Sequence, residues 1–523
     1  MTPPLVPPTP VEGGPEAAAQ RLGTRPVAVP ASILDEVRDG GGAVDTGIAA
    51  CAEAGRDWWP ISIGWASAGL VPARPAAVVR PVSTAQVAAL LRSCNDDLIP
   101  VTPIAGRSGV CGGAVALFGG VALDLTGLTG EVHLDEVSLV AEVPAGTNGR
   151  ALEETLRAKG TGYTLGHWPQ SIDLSTIGGW IACRSAGQYS TRYGKIEDLV
   201  AGLEVVLADG TVVRTGSIAP RAATGPDLTQ LFTGSEGVLG VITRAWLRVR
   251  PAPPAEGRRA YGFATFAEGT AACRRILRRG ATPAVVRLYD RTESERSFAV
   301  ADHCVLVVLD EADPGLLDAT LEVVDEECAG ALRLDGALVA HWLATRNDVS
   351  QLAPLWRAGI VVDTAELAAH WGRIDALGEA VVNTLEALDG TLVVSRHLSH
   401  AYPDGGCVYF TFAGRRPSAG AETAGAETTG AEGTGGEGSG FDAAWAEGYY
   451  ARAWDMLSAA AMSQHAAISH HHGIGIQRAR FLHEALGPAF DVLVALKRAL
   501  DPAGILNPGK LGIPNPFGEV PWP

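Results

Sequence analysis

Pro103-Ile-Ala-Gly-Arg-Ser-Gly-Val-Cys-Gly-Gly113 lies at the end of an apolar run, residues 99–104, that reads as a strand. A diphosphate needs several backbone N–H groups converging on it without side chains in the way, and closely spaced glycines in a turn supply them. Arg107 and Ser108 add side-chain donors. The segment is not GxGxxG, and the chain contains no GxxxxGK[ST], so the nicotinamide-type Rossmann and P-loop readings drop out.

Outward from this turn the same chemistry recurs. Ser175-Thr-Ile-Gly-Gly-Trp180 places two hydroxyls before paired glycines, Arg184-Ser185 follows, and Gly234-Ser-Glu-Gly-Val-Leu-Gly240 precedes another strand. Upstream, Val87, Leu90 and Leu91 give a helix one buried face, with Thr84 as its cap. Residues 203–208 and 211–214 read as a hairpin through Asp209-Gly210. After RPAPPAEG, helices of about four turns alternate with strands at 284–288 and 304–309, a second α+β unit. Helices are expected over 441–463 and 478–500, separated by SHHHGIG, and a Pro/Gly-rich tail closes the chain.

The expected organisation is an arm and helical lead-in (1–73, with a disordered start), a cofactor-binding domain (74–252), a cap or substrate domain (253–463), and a C-terminal segment and helix (464–523). Residues 416–440, with a crude GAET repeat, read as a flexible insertion.

At 523 residues the chain divides into two or three domains, and 47% hydrophobic with 19% charged residues is ordinary globular composition. A net charge of −17 argues against nucleic acid and anionic membranes as partners. The charge-free stretch 108–123 is too short and too glycine-rich to span a bilayer. Eight scattered cysteines without a CxxC pair, and a start without a signal or transit pattern, predict reduced thiols and a cytoplasmic protein.

The order PIAGRSG, QSIDLSTIGGW, CRSAGQYSTRYGKIEDLV, APRAATGPD and TGSEGVLGVIT resembles the flavin domain of the vanillyl-alcohol-oxidase/p-cresol-methylhydroxylase (PCMH-type) superfamily, with alkyldihydroxyacetonephosphate synthase as the nearest family. The resemblance implies an α+β fold: a two-subdomain FAD-binding domain, a cap with an antiparallel sheet, and a C-terminal helical segment. It implies non-covalent FAD, its pyrophosphate wrapped by Pro103, Ile104, Ala105, Gly106, Arg107, Ser108 and Gly109. It gives Gln170, Ser171, Asp173, Ser175, Thr176, Gly179, Arg184, Ser185, Gly234, Ser235, Glu236, Gly237, Gly240 and Ile242 to the rest of the cofactor. Covalent flavin in relatives often uses a histidine in the first loop, where this chain has Val110-Cys111.

By the same resemblance, Tyr409 is the catalytic acid/base, His470, His471 and His472 assist proton transfer, and Arg396 and Arg287 bind the substrate phosphate. The implied reaction exchanges the acyl group of acyl-dihydroxyacetone phosphate for a fatty alcohol through an adduct at flavin N5. The substrate is then lipid-like, peripheral membrane contact is compatible with it, and a homodimer is expected. The RDWWP segment at 56–60 and Arg107 depart from the synthase pattern.

The rival reading is an FAD-linked dehydrogenase of the D-lactate or glycolate type, to which ILNPGKL and HGIG are similar. Those enzymes bind a divalent metal through a histidine pair and an acidic residue before HG. Here His400 precedes Asp404-Gly405-Gly406, but Tyr409 and His471 occupy the other positions. On an extended chain His470 and His472 face one way and His471 the other, so the run cannot converge on one ion and no metal site is predicted.

Overall fold

The computed structural model describes residues 9–160, 162–216, 219–348, 352–417 and 441–522. Apart from Arg416 and Pro417, the insertion expected at 416–440 lies outside them.

Two sheets build the first half. In one, Ala43–Asp45, Ala77–Arg80, Val121–Asp124 and Val101–Ile104 lie in that order, the last three parallel. The crossover helix Thr84–Asp96 buries Val87, Leu90, Leu91 and Cys94 against this sheet. Its cap is Ser83 rather than the expected Thr84. Ser83 is the residue with extended φ, and its Oγ accepts from the Gln86 N–H at 3.3 Å, while Thr84 Oγ1 donates to Glu204 at 2.8 Å.

The other sheet is antiparallel, ordered Val212–Gly216, Val200–Val206, Val241–Arg248, Val140–Pro144 and His133–Asp135. The hairpin expected at Asp209-Gly210 forms, with Gly210 at φ +80°.

The second half is one seven-stranded antiparallel sheet. Its order is Leu332–Leu334, Ala255–Phe263, Cys304–Ala312, Val285–Tyr289, Thr391–Ala401, Gly405–Arg415 and Ile360–His370. Strand alternation sorts its side chains. Val286, Leu288, Leu306, Val308, Leu398, Val408, Phe410 and Phe412 share one core with the helices Phe266–Arg278, Pro314–Glu327, Ile374–Glu386 and Ala443–Ser463. Each such buried side chain contributes about 1.5–3 kcal/mol of transfer free energy. Their neighbours in the strands point the other way, toward the first half.

Both chain ends differ from expectation. The arm is packed from Thr9 onward: Val11 and Leu22 are buried, and Ala19–Gln20 pairs with Leu70–Val71. The single helix expected at 478–500 is two, Ala479–Leu486 and Ala489–Leu500. Gly487 adopts φ +54°, and Pro488 has no N–H with which to continue the ladder. The tail then returns to the first half, where Ile505 and Leu506 join its parallel-sheet core and Leu511 and Ile513 its antiparallel one.

Candidate active site

The glycine-rich turns meet in space. A Cβ on Gly106 would lie 2.3 Å from the Leu174 carbonyl oxygen, so the first turn rests directly on the Gln170–Thr176 loop. Gly237 abuts Pro103, Gly234 abuts the Arg184 side chain, and Asn507 Nδ2 donates to the carbonyls of Gly113 and Glu236, at 3.2 and 2.7 Å. Arg107, Gly112, Arg184, Gly234, Glu236 and Gly237 all have φ between +49° and +85°. Left-handed residues among right-handed ones aim successive N–H groups at one point. Among the described residues, the N–H groups of Gly106 and of Ser108 through Gly112 donate to no protein acceptor, although Gly106, Cys111 and Gly112 are buried. Buried donors of this kind need an acceptor. The arrangement fits the pyrophosphate of a dinucleotide. Gly106→Ala is expected to lower the retained FAD at least tenfold, measured as flavin absorbance per protein after gel filtration. Full occupancy would remove the turn from the cradle.

Several side chains expected to touch cofactor are engaged elsewhere, which leaves their backbones for that role. Ser175 Oγ donates to the Ser171 carbonyl and accepts from Trp180 Nε1, and Thr176 caps the helix Ile177–Ala182. Ser185 lies 2.8 Å from His167 Nε2, and Asp173 forms an exposed ion pair with Arg150. Gly240 packs on Val205, Ile242 is core, Gln170 is exposed, and the buried Ser235 Oγ has no protein partner. Glu236 accepts the N–H groups of Ile474 and Gly475 at 2.6 and 2.8 Å, and so ties the first half to the histidine segment.

On the cap sheet, Glu366, Tyr409, His397 and Tyr289 stand in register across four adjacent strands, on the face turned to the first half. Tyr409 stacks on His397 at 5.0 Å between ring centroids and on His471 at 6.3 Å, and its hydroxyl donates to Thr364 Oγ1 at 2.9 Å. Burial, reinforced by Glu366 and Asp363, raises its phenol pKa despite the Thr364 bond, so Tyr409 is protonated at neutral pH. Arg287 is on this face: Nη2 lies 2.6 Å from His397 Nε2, and Nε donates to the Tyr289 hydroxyl at 3.0 Å. Arg396 is not. It pairs in register with Phe410, one residue out of phase with Tyr409, and its guanidinium stacks on Phe266 beneath the sheet. The expected pairing of Arg396 with Tyr409 at one substrate is therefore corrected by strand parity.

The histidine run is a turn, not an extended strand. Glu366 Oε1 accepts from Ser469 Oγ at 2.8 Å and from the N–H groups of His470, His471 and His472 at 3.1, 3.2 and 2.8 Å. Arg478 closes on the same carboxylate through both terminal nitrogens, at 3.0 and 2.6 Å. Burial would raise the Glu366 pKa, but Arg478 and His472 hold it well below the ordinary carboxylate range. His472 Nδ1 sits 3.1 Å from Glu366 Oε2, off hydrogen-bond alignment. His470 and His471 turn the other way, together, toward His400. The strict alternation expected for the run does not form, although His472 still points away from the other two, so the three members of the run do not meet at one point. His400, His470 and His471 form a triad whose ligand nitrogens all lie within 4.8 Å of one another.

Burial, then neighbouring cationic groups, pushes the pKa of His400, His470 and His471 well below the ordinary imidazole value, so they are neutral in the folded protein. An unfolded chain would protonate them as pH falls through about 6.5, so stability attached to the neutral forms is present above that pH and lost below it. His471→Asn should lower the pH dependence of unfolding free energy between pH 6.5 and 5 by about one proton, or about 1.4 kcal/mol per pH unit. Urea titrations at three pH values test this, and parallel slopes for variant and parent would refute it.

Sequence reasoning missed Glu366, Arg478, Ser190 and Tyr402. Two acids, Asp363 and Glu366, inside the otherwise apolar strand 360–369 were a usable signal, because a carboxylate in a core strand requires a partner. Ser190 and Tyr402 carried none.

This combination of two-part cradle and sheet-borne face defines a PCMH-type FAD-binding flavoprotein. The family described as "FAD binding domain" matches residues 75–216, and that described as "FAD linked oxidases, C-terminal domain" matches residues 253–511. The FAD-linked oxidoreductase YgcU of Escherichia coli K12, described as uncharacterized, is 31% identical over 454 residues, covering 84% of this chain and 89% of that protein. The chain belongs to this FAD-linked oxidoreductase family, and its cofactor is FAD. Alkyldihydroxyacetonephosphate synthase of Dictyostelium discoideum is 25% identical (85% and 74% covered), and D-lactate dehydrogenase of Anaerostipes hadrus 27% (84% and 90%). Among solved structures, an alkyldihydroxyacetonephosphate synthase superposes with TM-score 0.73 at 21% identity (96% and 90%), and p-cresol methylhydroxylase with 0.70 at 17% (94% and 99%). No helix among the described residues is long and apolar enough to cross a membrane.

Proposed function

We propose that this FAD-dependent enzyme moves a proton at an oxygen-bearing carbon held between the flavin and Tyr409, with exchange chemistry of the alkyldihydroxyacetonephosphate synthase type as the preferred reaction. The observation that carries this reading is the Tyr409 ring stacked between His397 and His471, at 5.0 and 6.3 Å, on the face turned to the first half. A phenol and imidazoles gathered on one face give a bound substrate a donor and an acceptor within reach, without a permanent charge in the site. Arg287, buried on the same face with no carboxylate ion pair among the described residues, offers a seat for a substrate phosphate. FAD supplies the reacting ring. Cys111 is buried, its thiol pushed up far from the thiolate form, which supports non-covalent attachment. Acid precipitation should release all the flavin, and yellow pellets would contradict that.

The second reading, oxidation of a D-2-hydroxy acid, is favoured by the histidine triad and by the D-lactate dehydrogenase relative. One experiment separates the two. Pre-reduced protein is given acyl-dihydroxyacetone phosphate and a long-chain alcohol, and oxidised protein is given D-2-hydroxy acids without oxygen. Alkyl product with no net redox change supports the first reading. Flavin bleaching in the second arm, without alkyl product in the first, replaces it.

A further inference from the structure

We propose that Glu293 and His397 are positioning residues that hold the Arg287 guanidinium in one direction from behind and leave its free donors to an oxyanion of the substrate. The three side chains are buried and joined in a line. Glu293 Oε2 lies 3.0 Å from His397 Nδ1, and His397 Nε2 lies 2.6 Å from Arg287 Nη2. Local sequence builds the line. Arg287 and Tyr289 alternate onto one face of their strand, and Asp290 then caps the helix Arg291–Phe298 by accepting the Glu293 N–H at 2.8 Å. That cap sets Glu293 in the first turn, within reach of His397, which pairs in register with Tyr289 on the neighbouring strand.

The contact to Arg287 fixes the histidine tautomer. A guanidinium has N–H donors and no acceptor, so His397 Nε2 must be the acceptor and carries no proton. The ring proton is therefore on Nδ1 and is donated to Glu293. Burial, with Arg287 and Arg296 nearby, lowers the His397 pKa although Glu293 opposes it, which keeps the neutral ring at neutral pH.

Arg287 then has little freedom. Nε donates to the Tyr289 hydroxyl at 3.0 Å, Nη1 makes a long 3.5 Å contact to the Ser399 carbonyl, and the guanidinium lies 5.6 Å from the Trp342 ring centroid. Of its five N–H groups, three are used in this way, and the other two have no acceptor among the described residues. A buried guanidinium needs a counter-charge. Glu293 supplies it at one remove, through the imidazole, whereas a carboxylate in direct contact would fill the donors and close the seat. Arg296 meets the same carboxylate at 3.3 Å from the exposed side. Because His397 also stacks on Tyr409, one ring braces both the anion seat and the phenol. That the seat takes a substrate phosphate rests on the proposed function, whereas the arrangement that aims Arg287 does not.

Two measurements on FAD-loaded full-length protein test this. NMR of nitrogen-labelled histidine reads the tautomer, with the His397 signals assigned by their loss in His397→Gln. The parent is expected to show a protonated Nδ1 and a bare Nε2, and Glu293→Ala to populate the opposite form. Calorimetric titration with inorganic phosphate reads the seat. His397→Leu should weaken binding about tenfold or more with FAD content unchanged, the size of a lost hydrogen bond to a charged group. His397→Gln keeps an acceptor for Arg287 and a donor for Glu293, and should bind within about threefold of the parent. If His397→Leu fails to fold, His397→Met takes its place. A protonated Nε2 in the parent, a tautomer unmoved by Glu293→Ala, or parent-like phosphate binding by the apolar variant overturns the proposal. A parent that binds no phosphate, or an Arg287→Met variant that binds it as the parent does, would instead refute the phosphate seat of the proposed function, and the tautomer alone then decides whether Glu293 and His397 hold Arg287.

Discussion

Glu366→Ala lowers the unfolding free energy by about 3–5 kcal/mol, the cost of leaving a buried charge without its partner. Arg478 is 1% exposed, and its two terminal nitrogens converge on this carboxylate. The same change removes the acceptor of the His471 and His472 N–H groups and of the Ser469 hydroxyl, while the His470 N–H keeps the backbone carbonyl of residue 366. Urea unfolding followed by flavin fluorescence and by circular dichroism measures the loss. The paired replacement Glu366→Leu with Arg478→Met should recover most of the stability, because an apolar pair of similar volume incurs no desolvation cost. It should not recover activity, since nothing then gathers the histidine turn. A single variant within about 1 kcal/mol of the parent would show that the carboxylate does not hold the site together.

Tyr409→Phe has the opposite profile, a large loss of rate with little loss of stability. Removing a positioned acid/base lowers turnover by about 10²–10⁴-fold. Among the described residues the hydroxyl has one hydrogen-bond partner, Thr364 Oγ1, so folding should weaken by no more than about 1.5 kcal/mol. FAD content should be unchanged, because Tyr409 stands on the cap sheet rather than in the glycine turns. The assay is whichever substrate panel gives turnover. Parent-like turnover by the variant would remove Tyr409 from the chemistry.

The two residues also mark what sequence could disclose. Tyr409 was legible because a motif surrounds it. Glu366 was legible only as an acid in need of a partner, and its partners were not, because they lie 103–112 residues away and no local pattern connects them. The histidines show the same limit. Read as an extended segment they must alternate, but one carboxylate drawing three consecutive N–H groups bends the chain and sends His470 and His471 to the same side. Arg396 fails for a simpler reason. One step along a strand reverses the face, and neither motif nor composition reports that parity when both neighbours are polar.

The glycine-rich turns and the α+β division follow from the chain alone, while FAD as the cofactor follows from the family resemblance of the ordered motifs. The turns and the division depend on properties carried within short segments: glycine's freedom at positive φ, strand alternation and hairpin chemistry. The convergence of His400 with His470 and His471, the separation of Arg396 from Tyr409, and the carboxylates that lock the histidine turn exist only once distant strands have paired. Long-range register decides which side chains share a face, and no local stretch of this chain contains that information.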